Sequence, residues 1–323
     1  MQVSARHCFT GEGRFATLGD MTLPAKANAR KGEMGDRTSL ITSRDNRWLK
    51  RFRDCLGGEE CGNGIVGVEG VRLVEAALGS GLPVEALLVS ASGERHLVRL
   101  GELIAPGLRI LRTTDRLFAS VADTQTPQGV AALVRPKAAT VEDVLKGVAL
   151  VVVLVGVQDP GNVGTILRAA EAFGATGAVT CPAGGVGAAN PFGAKAMRAS
   201  AGSALRLPIL RGMSAAILFA QLRVSEVKIY AAVRDSDANA CGESRSVPSL
   251  FRPWEVDWKS AVALLIGNEG AGLSEEIVRS CDVRVSIPQR DSGKTSRVES
   301  LNAAMASAVL LYEAMRQRGQ LEK

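Results

Sequence analysis

The run VSIPQRDSGKTSRVESLNAAMASAVLLYEAMRQR at residues 285–318 decides the fold. Its opening is β-branched and alternating, which predicts a strand over 283–287. Pro288 ends that strand, because proline has no N–H to give to a ladder. A helix is predicted from about Glu299. Leu301, Ala304, Met305, Ala308, Leu311, Tyr312 and Met315 recur at helical spacing and predict one inward apolar stripe. Arg316 and Arg318 fall in the last turn, where cations suit the helix dipole. A helix closing a core accounts for the stripe. It does not account for Glu299, Ser300, Leu301 and Asn302 at the helix mouth. Small polar side chains and free N–H groups at a helix start, just after a strand end, form a ligand-binding lip.

Working outward, 323 residues imply two domains plus extras. A composition 46% hydrophobic and 22% charged supports sizeable cores, and with only 4% aromatics those cores are aliphatic. The longest apolar run, 148–157, is shorter than the roughly 20 residues that span a bilayer, so no membrane partner is expected. With no secretion signal at the N-terminus, a cytoplasmic location is expected. The six cysteines form no CxxC pair, which argues against a zinc knuckle or redox motif. His7 and His96 are the only histidines, so a histidine-rich metal site is excluded, no metal is expected and a Ser-His-Asp triad is disfavoured. The net charge of +6 favours a polyanionic partner.

Residues 1–38 lack periodicity and read as a mobile extension. Residues 39–135 read as a small α/β domain. Ser43 is placed as the cap of a helix with Trp48, Leu49, Phe52 and Leu56 inward. Its other face carries Arg44, Arg47, Lys50, Arg51 and Arg53, either a solvated face or a phosphate contact. Strands near 65–70, 84–89, 108–111 and 129–134 then alternate with helices at 71–79, 97–103 and 114–120, and a linker follows at 135–137. A second domain spans 145–319. It opens on VALVVVLV at 148–155, the continuous apolar run of a parallel strand buried on both faces. Strands at 177–181, 207–210, 227–233 and 261–266 and helices at 194–204 and 214–224 follow. Residues 235–258 form a polar insertion.

Two more strand ends carry unusual polar residues. In QDPGNVGTILRAAEAFG at 158–174, Pro160 and Gly161 are read as the turn, with Asn162 at the cap of a helix burying Val163, Ile166, Leu167, Ala170 and Phe173. Arg168 lies off that apolar face, where spacing alone makes it a surface arginine. In LLIGNEGAGLS at 264–274, three glycines permit close backbone approach to a ligand, and Ser274 caps a helix whose first turn holds Glu275 and Glu276. This is neither a GxGxxG fingerprint nor a P-loop, which argues against a nucleotide-dependent oxidoreductase.

Together the three loops resemble the signature motifs of the SpoU/TrmH family, the SPOUT-class RNA 2′-O-ribose methyltransferases. The first matches at Asn162, Gly164 and Arg168, and the second at Gly267, Glu269, Gly270, Gly272 and Leu273. The third matches at Ile287, Pro288, Ser300, Leu301 and Asn302. The stretch from Lys195 to Ser203 with Arg206-Leu207-Pro208 resembles a further family motif. Residues 39–134 resemble the substrate-binding domain that often precedes the catalytic one. Two departures stand out: Gln289 where the family usually has Met, and a segment 290–297 longer by roughly five residues.

The resemblance implies a C-terminal parallel-sheet domain with a trefoil knot, preceded by a small ribosomal L30e-like α/β domain. It implies methyl transfer from S-adenosyl-L-methionine to a ribose 2′-hydroxyl of RNA. Catalytic roles fall to Arg168, Asn162, Glu269, Ser300 and Asn302. Gly267, Asn268, Ile287, Pro288 and Leu301 would bind the donor. A homodimer through the C-terminal domain is implied as well. Ribosomal RNA is favoured over transfer RNA because of the N-terminal domain. The competing reading is a non-catalytic RNA-binding or ribosome-assembly protein that retains the fold.

Overall fold

The computed structural model describes residues 38–58, 61–62, 64–234, 247–289 and 300–319. The expected N-terminal extension, Glu299 and the segment 290–297 therefore lie outside the described residues, as does 235–246 of the expected insertion. The first sheet contains β1 (Thr38–Ile41), β2 (Val66–Glu69), β3 (Val84–Ser90), β4 (Arg109–Thr113) and β5 (Val130–Val134). Its order is β1-β4-β3-β5-β2. β1, β4 and β3 run parallel, while β5 is antiparallel to both β3 and β2. α1 (Arg47–Leu56) and α4 (Asp115–Ala119) cover one face, burying Leu49, Phe52, Leu56 and Phe118. α2 (Val71–Gly79) and α3 (Leu97–Leu100) cover the other. Cys55 and Cys61 form a disulfide that ties the end of α1 to the approach to β2.

The second sheet is all parallel, with order β10-β12-β9-β11-β6-β7-β8. After α5 (Val141–Val144), the interior strand β6 (Leu150–Val155) is buried at every residue, as its unbroken apolar sequence requires. Each such side chain contributes roughly 1.5–3 kcal/mol as an upper estimate. The chain continues through α6 (Pro160–Ala172), β7 (Gly177–Cys181), α7 (Ala194–Ser200), α8 (Ser203–Arg206) and β8 (Ile209–Leu210). It then forms α9 (Ala215–Val224), β9 (Lys228–Ala232), β10 (Leu250–Phe251), β11 (Val262–Ile266), α10 (Glu275–Arg279), β12 (Val283–Val285) and α11 (Ala303–Gln317). One core runs from the α2 side of the first sheet into the second domain and includes Leu73, Val74, Leu205, Val152 and Leu311. Arg198 of α7 pairs with Asp123 across the same junction.

α11 is fixed at its far end. The Arg318 guanidinium donates to the carbonyls of Val148 (2.8 Å), Ala149 (3.0 Å), Trp258 (2.7 Å) and Ser260 (2.8 Å), at the entrances to β6 and β11. Trp258 closes the former insertion. It is fully buried, its Nε1 donates to Pro253 O, and its ring meets Tyr230 edge-on.

Several sequence expectations are corrected. α11 begins at Ala303, not near Glu299, because the Asn302 side chain accepts from the N–H groups of Ala304 and Met305. Its buried residues are Ala304, Ser307, Leu310, Leu311 and Ala314, while Met305 and Tyr312 face outward. Ala304 and Leu311 of the expected stripe are buried, but the helix is apolar on more than one face and periodicity alone did not exclude Met305 and Tyr312. α6 starts at Pro160 with Asp159 as its cap, which places Asn162 inside the first turn. Asn46, not Ser43, caps α1. The expected helix over 194–204 is broken by Ala201 (φ 49°) and Gly202 (φ 86°) into α7 and α8. The edge strand β1 went unread.

The crossing of α6 and α7 sets where the first motif loop sits. A Cβ on Gly164 would lie 2.2 Å from Ala196 O and 2.7 Å from Ala199 Cβ. Gly164→Ala must push the helices apart, and a loss of about 1–3 kcal/mol is expected in denaturant unfolding. Unchanged stability would show that the crossing has slack.

Candidate active site

β6 and β11 are neighbours in register, with Leu154 opposite Ile266. The loops that leave their C-terminal ends therefore meet, although they are more than a hundred residues apart in sequence. The Glu269 carboxylate joins them. Its Oε2 accepts from Gln158 N (3.1 Å), and its Oε1 accepts from Asp159 N (3.0 Å) and Asn162 Nδ2 (2.9 Å). The third loop joins through Asn302, whose Nδ2 donates to Asn162 Oδ1 at 3.0 Å while its own Oδ1 caps α11. Asp159, which caps α6, also holds Lys195 Nζ at 2.6 Å.

Burial alone would raise the Glu269 carboxyl. The Asn162 amide and the backbone N–H groups of Asp159, Gln158 and Glu269 itself outweigh it and hold the group below the ordinary 4.5. The charged form is therefore the one this network is built for. Arg234, which sequence reading missed, supports the same loop from outside: its guanidinium donates to Glu269 O (3.1 Å) and Gly270 O (2.5 Å). It follows β9 without a motif to mark it, so only the fold reveals it.

Beside this network lies an open pocket. It sits at the C-terminal ends of β9, β11 and β12 and at the start of α11, where parallel sheets place ligands. Ile266, Ile287, Leu301 and Leu310 give it apolar walls, while Gly267 and Ser300 line it beside Glu269. The turn at 268–272 closes on itself through reciprocal Asn268–Gly272 backbone hydrogen bonds and presses against Gly267. A Cβ there would come within 2.4 Å of Gly272 C. Its lining has the chemistry a nucleoside needs, with apolar walls for a flat base and polar groups at the mouth.

The predicted site residues divide accordingly. Asn162, Glu269 and Asn302 share one hydrogen-bonded chain. Gly267, Asn268, Ile287, Ser300 and Leu301 line the pocket. The Asn268 side chain is committed to its own turn, donating to Gly156 O and accepting from Gly270 N and Ala271 N. Pro288 is exposed and not among the lining residues, whereas its neighbour Gln289 is. Arg168 is exposed on α6 and does not line the pocket. Among the described residues it has no hydrogen-bond or ion-pair partner.

This arrangement has relatives. The profile of the SpoU rRNA Methylase family matches residues 149–312. The chain belongs to that family. Residues 62–132 match the MRM3-like substrate binding domain. The chain is 30% identical over 246 residues to the 23S rRNA (guanosine(2553)-2′-O)-methyltransferase RlmP of Bacillus subtilis, covering 76% of this chain and 86% of the relative. It is 31% identical to the 23S rRNA (uridine(2479)-2′-O)-methyltransferase of Streptomyces viridochromogenes, covering 89% and 96%. Among solved structures, AviRb from that organism in complex with AdoMet superposes with a TM-score of 0.68 at 28% identity, covering 84% of this chain and 98% of that one. An AdoMet-bound rRNA methyltransferase from Sinorhizobium meliloti gives 0.70 at 26% identity, covering 89% and 100%.

Glu269→Gln offers one acceptor oxygen where the carboxylate offers two, and turns an amide NH₂ toward N–H donors. A loss of about 1–2 kcal/mol is expected at neutral pH. Because the folded carboxyl titrates below 4.5, its contribution is present above that value and is lost as pH falls through the folded value. Thermal melts should therefore show the two proteins converging in acid. A constant gap across pH would contradict the ionised network.

Proposed function

We propose that the chain transfers the methyl group of S-adenosylmethionine to a ribose 2′-hydroxyl of 23S ribosomal RNA. The observation that carries this reading is the Glu269–Asn162–Asn302 chain, which binds three distant loops into one site beside a pocket with apolar walls and a polar mouth. Bound there, S-adenosylmethionine would supply an electrophilic sulfonium methyl. The walls formed by Ile266, Ile287 and Leu301 would hold its adenine, and the backbones of Gly267, Ile287 and Leu301 its polar edges. Ser300 lies at the same mouth and would orient the incoming ribose. Glu269 holds Asn162 and Asn302 in fixed rotamers, so alignment is set before RNA arrives.

Arg168 is exposed on α6 and unpaired among the described residues. A guanidinium does not give up its proton in proteins and so is no general base. Its role is to stabilise the developing 2′-alkoxide, or to position a phosphate that takes the proton. A cytoplasmic location follows from a ribosomal RNA substrate.

The same reading carries a trefoil knot in the C-terminal domain and a ribosomal L30e-like identity for the five-stranded domain. Supporting the knot, α11 returns to pack near α6, where Phe173 and Tyr312 meet edge-on at 5.9 Å. It also carries a homodimer. Met305, Val309 and Tyr312 line one side of α11 at 63%, 44% and 46% exposure, an apolar strip a second copy would cover. Analytical ultracentrifugation of Met305→Glu tests this: a shift to monomer is expected, and an undisturbed dimer places the contact elsewhere.

Methylation of in vitro transcribed 23S rRNA tests the activity. Arg168→Ala is expected to lower kcat by about 10²–10³ while calorimetric donor affinity stays unchanged. Equal rates would remove Arg168 from the reaction. A wild-type protein that binds the donor but methylates no RNA would overturn the proposal.

A further inference from the structure

α1 buries Leu49, Phe52, Cys55 and Leu56, and Trp48 at the helix start packs against that core while remaining only half-buried. Three guanidinium groups surround that ring: Arg47 at 5.9 Å from its centroid, Arg51 at 5.6 Å and Arg109 at 5.2 Å. Arg51 is held by both oxygens of Glu85. Arg47 and Arg109 have no hydrogen-bond or ion-pair partner among the described residues. All five side chains line one open recess. Among the described residues, three cations face one carboxylate there, and like charges so placed favour an anion between them.

The chemistry that satisfies both features is an anion joined to a flat ring. Arginine and tryptophan together serve phosphate and base: the guanidinium fork takes phosphate oxygens, and the indole offers a stacking face. A duplex keeps its bases stacked on each other and has no ring to offer, whereas a loop or single strand has. A phosphopeptide would use the arginines and leave the indole idle. We propose that Trp48, Arg47 and Arg109 form a second RNA contact, in which an unpaired base of the substrate stacks on the indole and its phosphate sits between the two free arginines. The Arg51–Glu85 pair is the buttress that keeps the ring from collapsing into the recess.

This contact rests on the RNA reading of the protein but uses different atoms. No residue of the recess lines the donor pocket. Trp48, Arg47 and Arg51 precede the matched substrate-binding profile, which spans 62–132, while Arg109 and Glu85 fall within it.

Filter binding of the full chain to in vitro transcribed 23S rRNA, at several salt concentrations, tests it alongside calorimetry with S-adenosylmethionine. Trp48→Ala is expected to weaken RNA binding about tenfold with the salt slope unchanged, and Trp48→Phe to stay near wild type. The double variant Arg47→Ala/Arg109→Ala should reduce the slope of log affinity against log salt by about 1.5–2. Donor affinity should be wild-type throughout. Wild-type RNA affinity in Trp48→Ala and in the double variant overturns the contact while leaving the methyltransferase reading intact. A loss that Trp48→Phe shares, or that extends to donor affinity, assigns Trp48 to the fold and also overturns it. A wild-type protein that retains no RNA overturns the RNA reading, and this contact with it.

Discussion

The Glu269 carboxylate is the constraint on which the site depends. A parallel sheet puts the C-terminal ends of adjacent strands side by side, but it does not fix the loops that leave them. Here one charged group does so: it takes two backbone N–H groups and one side-chain amide from the loop after β6, and Asn302 ties that amide to the start of α11. The charge is stable because donors outweigh its desolvation. The same interaction that folds the loops also shapes the mouth of the pocket.

Two backbone approaches make the geometry possible. Without a side chain at Gly164, α6 sinks onto α7 until Ala196 O is within a bond's reach of where a Cβ would be. Without one at Gly267, the 268–272 turn lies flat on the end of β11. These positions match the family motifs for packing reasons, whereas Asn162, Glu269 and Asn302 match for polar ones. Arg168 fits neither account. It is exposed and has no hydrogen-bond or ion-pair partner among the described residues.

Much of this was legible in the sequence, for physical reasons that differ by element. β6 announced itself because a strand buried on both faces has no polar residue to blur it. The two-residue edge strand β10 and the short β1 carry no such pattern. Helix starts were read one turn off, since Asp159 and Asn162, or Ser43 and Asn46, are all competent caps and only tertiary contacts choose between them. Met305 and Tyr312 were taken as core because hydropathy records what a side chain is, not which face it occupies. The convergence of three motifs was readable only through the family resemblance, and Arg234 and the approach of Arg109 to Trp48 only through the fold.

The central claim is that one ionised carboxylate organises a single donor pocket. Calorimetric titration of S-adenosylmethionine into the wild-type chain and into Glu269→Ala tests it most directly. The account predicts one donor site per chain and an affinity at least about tenfold weaker in the variant, since the loops lose their charged tie. Equal affinities, in a variant that remains folded, would contradict it.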